Sequence, residues 1–470
     1  MATPTRTLAA FASTLAYEAI PTVVREATKQ YLLDTIGCGI YGSQTPWAKI
    51  LNQLIVEQGG RPEATLWLQG FRGPANTVAL GLGVMMHSFE LDDYHSGAKL
   101  HPGAVVIPAA LAVAERQGAS GRDLLRAVVA GYELMIRTSL AAGTLSMRRR
   151  GWHITGLCGT FGAAAAAGQL LGLDSLQMAN ALGLAGTQSA GLFAFTCDGA
   201  NSKRLHPGRS AQSGVLAAEL AARGFTGPTA VLEYEDGGFC RAVSDASNLE
   251  LLTSGLGAEY VTAHVSLKPY ACCGSTHSSI DAVRWLARTH HIQPQDVDEI
   301  VVANHSVVKL QTSWWYEPVS PMQAQMNMEY CVAVALTDGN AGPQQFTSDK
   351  IADPRLVDLA HKVRFEIDPE IEQIYPRAFP GRVTIRLRDG RTVEQYVPGP
   401  KGSPENPLTL DEVADKFHLL VDPVLGRQRA ERLATLVAEG VDRLVPVRIF
   451  LVERQQMPRQ PTDELAILLG

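Results

Sequence analysis

Between two apolar runs the chain carries HSFELDDYHSGAKLHPGAVVIP, residues 87–108, in which His87, His95 and His101 alternate with Glu90, Asp92, Asp93 and Lys99. Seven and five residues separate the three histidines, whereas one helix presents two imidazoles to zinc across a single turn. The carboxylates lack the loop order of an EF-hand calcium site. No metal is therefore expected here. Acid–base chemistry fits better, because histidine titrates near neutrality and a neighbouring carboxylate orients it. His101 stands directly before Pro102, Gly103 and an apolar helical run, and a helix N-terminus favours a bound anion.

Three further segments repeat that arrangement. MRRRGWH sets His153 behind Arg148, Arg149 and Arg150, ahead of a Gly/Ala-rich helical run; the basic run by itself reads as a solvated face. GANSKRLHPGRSAQSG places Lys203, Arg204 and His206 before Pro-Gly and another helix. SLKPYACCGSTHSSIDAV carries Lys268, Cys272, Cys273 and His277 at a strand-to-helix junction. Adjacent residues on an extended chain point to opposite sides, so only one of the two cysteines can face a given point. Four cationic helix entrances with few compensating carboxylates predict an anion pocket. Charge-assisted hydrogen bonds of about 1.5–3 kcal/mol each would hold a carboxylate there, so the expected partner is a small di- or tricarboxylate.

These segments need elements to position them. Behind Pro21, residues Val24, Ala27, Tyr31 and Leu32 form one stripe at helical spacing. Further Ala- and Gly-rich helical runs follow to about residue 260, and small residues let helix axes approach closely. This half reads as all-α. The GxGxxG match at Gly37, Gly39 and Gly42 follows a helix rather than a strand, so it predicts helix packing and not a dinucleotide site. The uncharged stretch 154–173 is long enough to span a bilayer but reads as a buried helix. From Ala258 onward β-branched runs appear in AEYVTAHVSLKPY, DEIVVANHSVVKL and GRVTIRLRDGRTVEQYV, with helical patterns between them. The cluster VPGPKGSPENP closes this region, and TLDEVADKFHLLV returns to helical periodicity. The expectation is a mostly α protein: an all-helical domain of residues 1–260 and 404–470, with an inserted α/β lid of residues 261–403.

At 470 residues the chain exceeds the size at which one core stops growing. A net charge of −6 supplies no basic field, which argues against nucleic acid or anionic lipid as partners. Seven cysteines without CxxC spacing fit reduced thiols and a cytoplasmic location. The opening residues lack a signal-peptide core and read as a first helix.

The ordered motifs LLDTIGCGIYG, HSFELDDYH with LHPGAVVIPAALAVAE, GWHITGLCGTFGAAAAAGQLLGL, SKRLHPGRSAQSG, GFTGPTAVLE, KPYACCGSTH, and PKGSPENPLT followed by DKF resemble the MmgE/PrpD family. That family includes dehydratases of 2-methylcitrate, decarboxylases of cis-aconitate and epimerases of iminodisuccinate. The resemblance implies a homodimer with no metal or organic cofactor and a site between the helical domain and the lid. It places Glu90 at the family's catalytic aspartate, His101 and His153 at its histidines, Lys203 and Lys268 at its pocket lysines, and Tyr330 at a pocket tyrosine. Asp93 and His277 take supporting positions around the ligand, beside Arg204 and Tyr94. Against the decarboxylase pattern, Glu90 replaces an aspartate, Tyr94 a threonine and Cys273 a histidine.

Dehydration of a small hydroxylated acid is on these grounds the first expectation. Epimerisation with Cys273 as a base, decarboxylation, and carboxylate binding without catalysis are the alternatives. In each reaction negative charge builds on carbon beside a carboxylate. Lys203 and Lys268 would stabilise it, and a histidine would move the proton, a step worth about 10²–10⁴ in rate.

Overall fold

The computed structural model describes residues 3–375 and 378–440, so the expected helical segment beyond 440 lies outside the described residues. The 3.6-residue stripe behind Pro21 forms a helix over Thr22–Gly42, and the GxGxxG glycines lie inside it. A Cβ on Gly42 would sit 1.9 Å from the carbonyl oxygen of Met85, so this glycine lets the helix touch the Ala75–Met86 helix backbone to backbone. The Gly/Ala-rich helix Ile154–Leu170 is buried from Ile154 to Gln169 and packs on the helices Gly103–Gln117, Gly121–Ala142 and Ser202–Ala222. Among the described residues no helix is long and apolar enough to cross a membrane.

One crossing sets up the site. A Cβ on Gly83 would lie 2.6 Å from the Cα of Gly208, so only glycines allow the Ala75–Met86 helix to cross the Ser202–Ala222 helix this closely. The first helix ends at Met86, capped by His87 and followed by the turn that carries Glu90, while the second begins at Ser202, just before Lys203 and Arg204. Their crossing brings a carboxylate and two cations together.

The sheet-bearing part places Val297–Asn304 parallel to Val363–Ile367 and antiparallel to Gly381–Leu387, which continues antiparallel to Thr392–Val397. Val383, Ile385 and Leu387 alternate inward at period two and are buried beneath the helix His277–His290.

Three expectations need correction. The run AEYVTAHVSLKPY is not a strand: Val261–His264 forms a 3-10 turn, and Ser266 makes only an isolated antiparallel bridge with Tyr94. Its amides are engaged locally, Ser266 N–H donating to Tyr94 O at 2.7 Å and Leu267 N–H to Gly402 O at 2.9 Å, which clamps the backbone just before Lys268. The strand Val363–Ile367 has no clear signal in the sequence, because its alternation is short and interrupted by charge. The supposedly all-helical half also holds a small hairpin, Ala64–Leu66 with Phe71–Gly73.

The helix Leu410–Leu425 returns to the Thr22–Gly42 helix, and buried Lys416 lies 2.6 Å from both Asp34 Oδ1 and the carbonyl oxygen of Leu91. That lysine ties the return segment to the turn bearing Glu90. Lys416→Met should cost about 3 kcal/mol of unfolding free energy, the low end for a broken buried pair. The cost is capped because burial already pushes the Asp34 carboxyl up, so Asp34 takes a proton when its partner leaves. Urea unfolding checks this, and adding Asp34→Leu should recover most of the loss.

Candidate active site

Glu90 occupies a turn at φ +58°, a left-handed conformation unfavourable for a side chain of its size. Its partners hold it there. Glu90 Oε1 accepts from Lys203 Nζ and Arg204 Nη1, and Lys268 Nζ lies 3.5 Å from Oε2. All four side chains are buried. Arg204 also donates to His87 O at 3.2 Å and to Gln325 Oε1 at 3.3 Å. Gln325 in turn donates to Phe89 O at 3.0 Å and Ala271 O at 2.8 Å, joining the Glu90 turn to the segment carrying Lys268 and Cys273.

Among the described residues, Glu90 is the one carboxylate within ion-pair distance of all three cations. Burial pushes the Glu90 carboxyl up, but Lys203, Arg204 and Lys268 hold it well below the usual carboxylate range. Burial pulls Lys268 down, yet Glu90 and Asp92 more than offset it, so Lys268 stays an ammonium. Lys203 goes the other way, burial prevailing over Glu90. The Lys268 ammonium makes its ion pair but no hydrogen bond with any described residue.

The imidazoles sit at helix starts. His153 caps the helix Ile154–Leu170, with Nδ1 2.8 Å from His206 Nδ1. His101 Nδ1 lies 2.8 Å from Asp93 O and 3.3 Å from Asp92 Oδ2, and the same Asp92 oxygen lies 2.6 Å from His87 Nδ1. Ligand atoms of His87, Asp92 and His101 all lie within 4.8 Å of one another, which makes them the group a metal would choose. The 2.6 Å between His87 Nδ1 and Asp92 Oδ2 is a hydrogen-bond length, shorter than the roughly 3.3 Å between ligands of a tetrahedral zinc about 2 Å from each. Asp92 hydrogen-bonds His87, while His101 Nδ1, near the same oxygen, hydrogen-bonds Asp93 O. His87 Nε2 and Asp92 Oδ1 remain without partners among the described residues.

Glu90, His101, His153, Lys203, Lys268 and Cys273 all line one cavity of about 110 Å³, with Tyr94 against its wall. The other expected residues lie elsewhere. Arg204 stands behind Glu90 rather than at the cavity. Asp93 accepts from Gly103 N–H at 2.8 Å and Tyr132 O–H at 2.7 Å; burial pushes it up to about 8, and it anchors the helix Gly103–Gln117 instead of meeting a ligand. His277 is enclosed by the rings of Tyr94 and Tyr270, with Nε2 3.3 Å from Cys272 O. Tyr330 does not line the cavity: its hydroxyl donates to Gln345 O and its ring stacks on Tyr316, so it packs the sheet-bearing part. Cys272 is buried against the Thr276 hydroxyl at 3.2 Å while Cys273 faces the cavity, as alternation along an extended chain requires. Lys203, Arg204 and His206 lie within the helix Ser202–Ala222, not ahead of it, and Pro207 is inside that helix too.

Sequence reasoning missed the link through Asp92 and two cavity-lining cations, Lys99 and Arg148. Lys99 stands within the same stretch as the expected residues, and Arg148 belongs to a basic run whose pattern is that of a solvated face. The expectation of few compensating carboxylates also fails at one point, since Glu90 already engages both lysines.

The buried histidines give a pH dependence. Burial, only partly offset by Asp92, pulls His87 down to about 3, and burial with His264 pulls His95 down to about 4, against 6.5 in an unfolded chain. Folded values below unfolded ones mean the stability is fully present above pH 6.5 and lost as pH falls toward 4 and then 3. Each imidazole contributes a slope of up to about 1.4 kcal/mol per pH unit. Asp93, pushed up to about 8, opposes this with one reverse slope above about pH 4. Urea midpoints should therefore fall most clearly between pH 6 and 5, where both imidazoles of the unfolded chain are protonated, and no fall there would show that these histidines accept protons without unfolding.

Two domain families match almost the whole chain: the MmgE/PrpD N-terminal domain over residues 6–252 and the MmgE/PrpD C-terminal domain over residues 270–439. A cis-aconitate decarboxylase of Aspergillus terreus is 32% identical over 466 residues, covering 94% of each chain. The cis-aconitate decarboxylase of Homo sapiens is 28% identical over 426 residues, covering 88% of this chain and 87% of its own. That of Mus musculus is 26% identical over 428 residues. With both domains matched in order around a cavity lined by Glu90, the lysines and the histidines, the chain belongs to the MmgE/PrpD family.

Proposed function

We propose that the protein is a cofactor-independent lyase that expels a small group from a carbon near a carboxylate of a small di- or tricarboxylate. The observation that carries this reading is the buried Lys268 ammonium, charged, without a hydrogen-bond partner, and lining a cavity shared with two imidazoles. When a carbon–carbon or carbon–hydrogen bond breaks, its electron pair stays on carbon and spreads into the adjacent carboxylate. Lys268 and Lys203 face that oxygen charge without having to reorganise, which is how fixed charges lower a barrier most. His101 or His153 then gives or takes the proton at carbon.

Loss of carbon dioxide from a cis-aconitate-like acid is the first reaction, supported by the relatives named as cis-aconitate decarboxylases across nearly the whole chain. Dehydration is the second, supported by two separate imidazole systems, His101 with Asp92 and His153 with His206, because a leaving hydroxyl needs an acid as well as a base. The same reading includes a homodimer in the cytoplasm.

The test is incubation of the purified protein with cis-aconitate, 2-methylcitrate, citrate and simple dicarboxylates, following released carbon dioxide, ultraviolet absorbance and deuterium uptake from heavy water. Carbon dioxide marks decarboxylation, and a new conjugated alkene without it marks dehydration. Proton exchange alone marks epimerisation, and binding alone marks a non-catalytic relative. Silence on all four counts would sink the carboxylate reading.

A further inference from the structure

The Glu90 end of the cavity is partly neutralised; a second cationic cluster is not. Lys99 and Arg148 line the same cavity, and neither forms an ion pair or hydrogen bond with a described carboxylate. Aromatic faces hold them instead. Lys99 Nζ lies 5.0 Å from the ring centre of Tyr375 and 5.4 Å from that of Phe379, and the Arg148 guanidinium carbon lies 3.5 Å from the ring centre of Phe193. An aromatic face attracts a cation without cancelling its charge. The Nε of Arg148 is buried without a hydrogen-bond partner. Lys99 is held at φ +51°, a conformation that costs a non-glycine residue energy and persists only when its surroundings enforce it.

Lys268, Lys99, Arg148 and the Cys273 thiol all line this one cavity, so both clusters face the same space.

We infer that Lys99 and Arg148 form a second carboxylate seat, so that a ligand held by one carboxylate at Lys268 sets another on Lys99 and Arg148. This rests on the carboxylate-lyase reading and adds the residues that select for the second carboxylate. Arg148 supplies a planar fork suited to two carboxylate oxygens and Lys99 a point charge.

Calorimetric titration with butyrate, succinate and cis-aconitate tests it on the intact protein. The unaltered protein should prefer succinate and cis-aconitate to butyrate. Lys99→Met and Arg148→Gln should each weaken the di- and tricarboxylate by about ten- to hundredfold while leaving butyrate unchanged, and Lys99→Arg should keep most of the preference. Should Lys99→Met not fold, Arg148→Gln and Lys99→Arg still read the preference. Weakening of all three probes alike, or an unchanged preference in the variants, would overturn the second seat while leaving the lyase reading in place. An unaltered protein that binds none of the three would remove both.

Discussion

Glu90→Gln should lower the unfolding free energy by about 3–5 kcal/mol, the penalty for leaving buried charge uncompensated. The change keeps the shape of the side chain and removes the one carboxylate that Lys203, Arg204 and Lys268 share. Lys203, whose affinity for its proton is already weakened by burial, can give that proton up, but an arginine in a protein cannot. The penalty therefore concentrates on Arg204, whose remaining acceptors are His87 O and the Gln325 side chain. The left-handed strain at φ +58° is the same for glutamine, whereas aspartate tolerates that region better. Glu90→Asp keeps the charge and eases the backbone, so it should stay within about 1 kcal/mol of the parent. Urea unfolding of the two variants side by side separates charge from shape. A Glu90→Gln protein as stable as the parent would mean that the three cations are not held by this carboxylate. Added carboxylate ligand should stabilise Glu90→Gln more than the parent, because the ligand then supplies the missing negative charge.

What the sequence disclosed follows from what sequence patterns encode. Helical periodicity and the Gly/Ala-rich runs foretold the tightly packed helices, and histidines placed just before such runs foretold imidazoles at helix starts. Two lysines at separate helix or strand boundaries could be grouped because each stood by Pro-Gly or a junction, and Lys203 and Lys268 do share one cavity. Patterns of this kind carry no information about which way a side chain points across a tertiary gap. Tyr330 lies on a helix with apolar residues all round, so nothing local says that its hydroxyl turns toward Gln345 rather than the cavity. Arg148 was hidden inside a basic run whose neighbours Arg149 and Arg150 are exposed, although Arg148 itself turns onto Phe193. The strand misread before Lys268 has the same origin: its β-branched residues satisfy a strand pattern, but Tyr94 and Gly402 claim its amides before a sheet can.

Lys268→Met should cut kcat by about 10²–10³, the loss typical when one preorganised donor to a developing oxyanion is removed. Its effect on stability should be under about 1 kcal/mol, because Glu90 keeps Lys203 and Arg204 and the methionine removes an ammonium that made no hydrogen bond. The contrast with Glu90→Gln is the point: the two residues sit 3.5 Å apart at one ion pair, yet one variant should lose fold and the other chemistry. A role for Lys268 as a proton carrier would give a different signature, since Glu90 and Asp92 hold its ammonium charged and a base must first shed that proton. An electrostatic Lys268 leaves solvent deuterium exchange and turnover reduced by the same factor in the methionine variant. It also predicts that Lys268→Arg, which keeps the charge but cannot lose its proton, retains more activity than Lys268→Met. Equal activity of the arginine and methionine variants would transfer the proton step to Lys268 and leave His101 and His153 as bystanders.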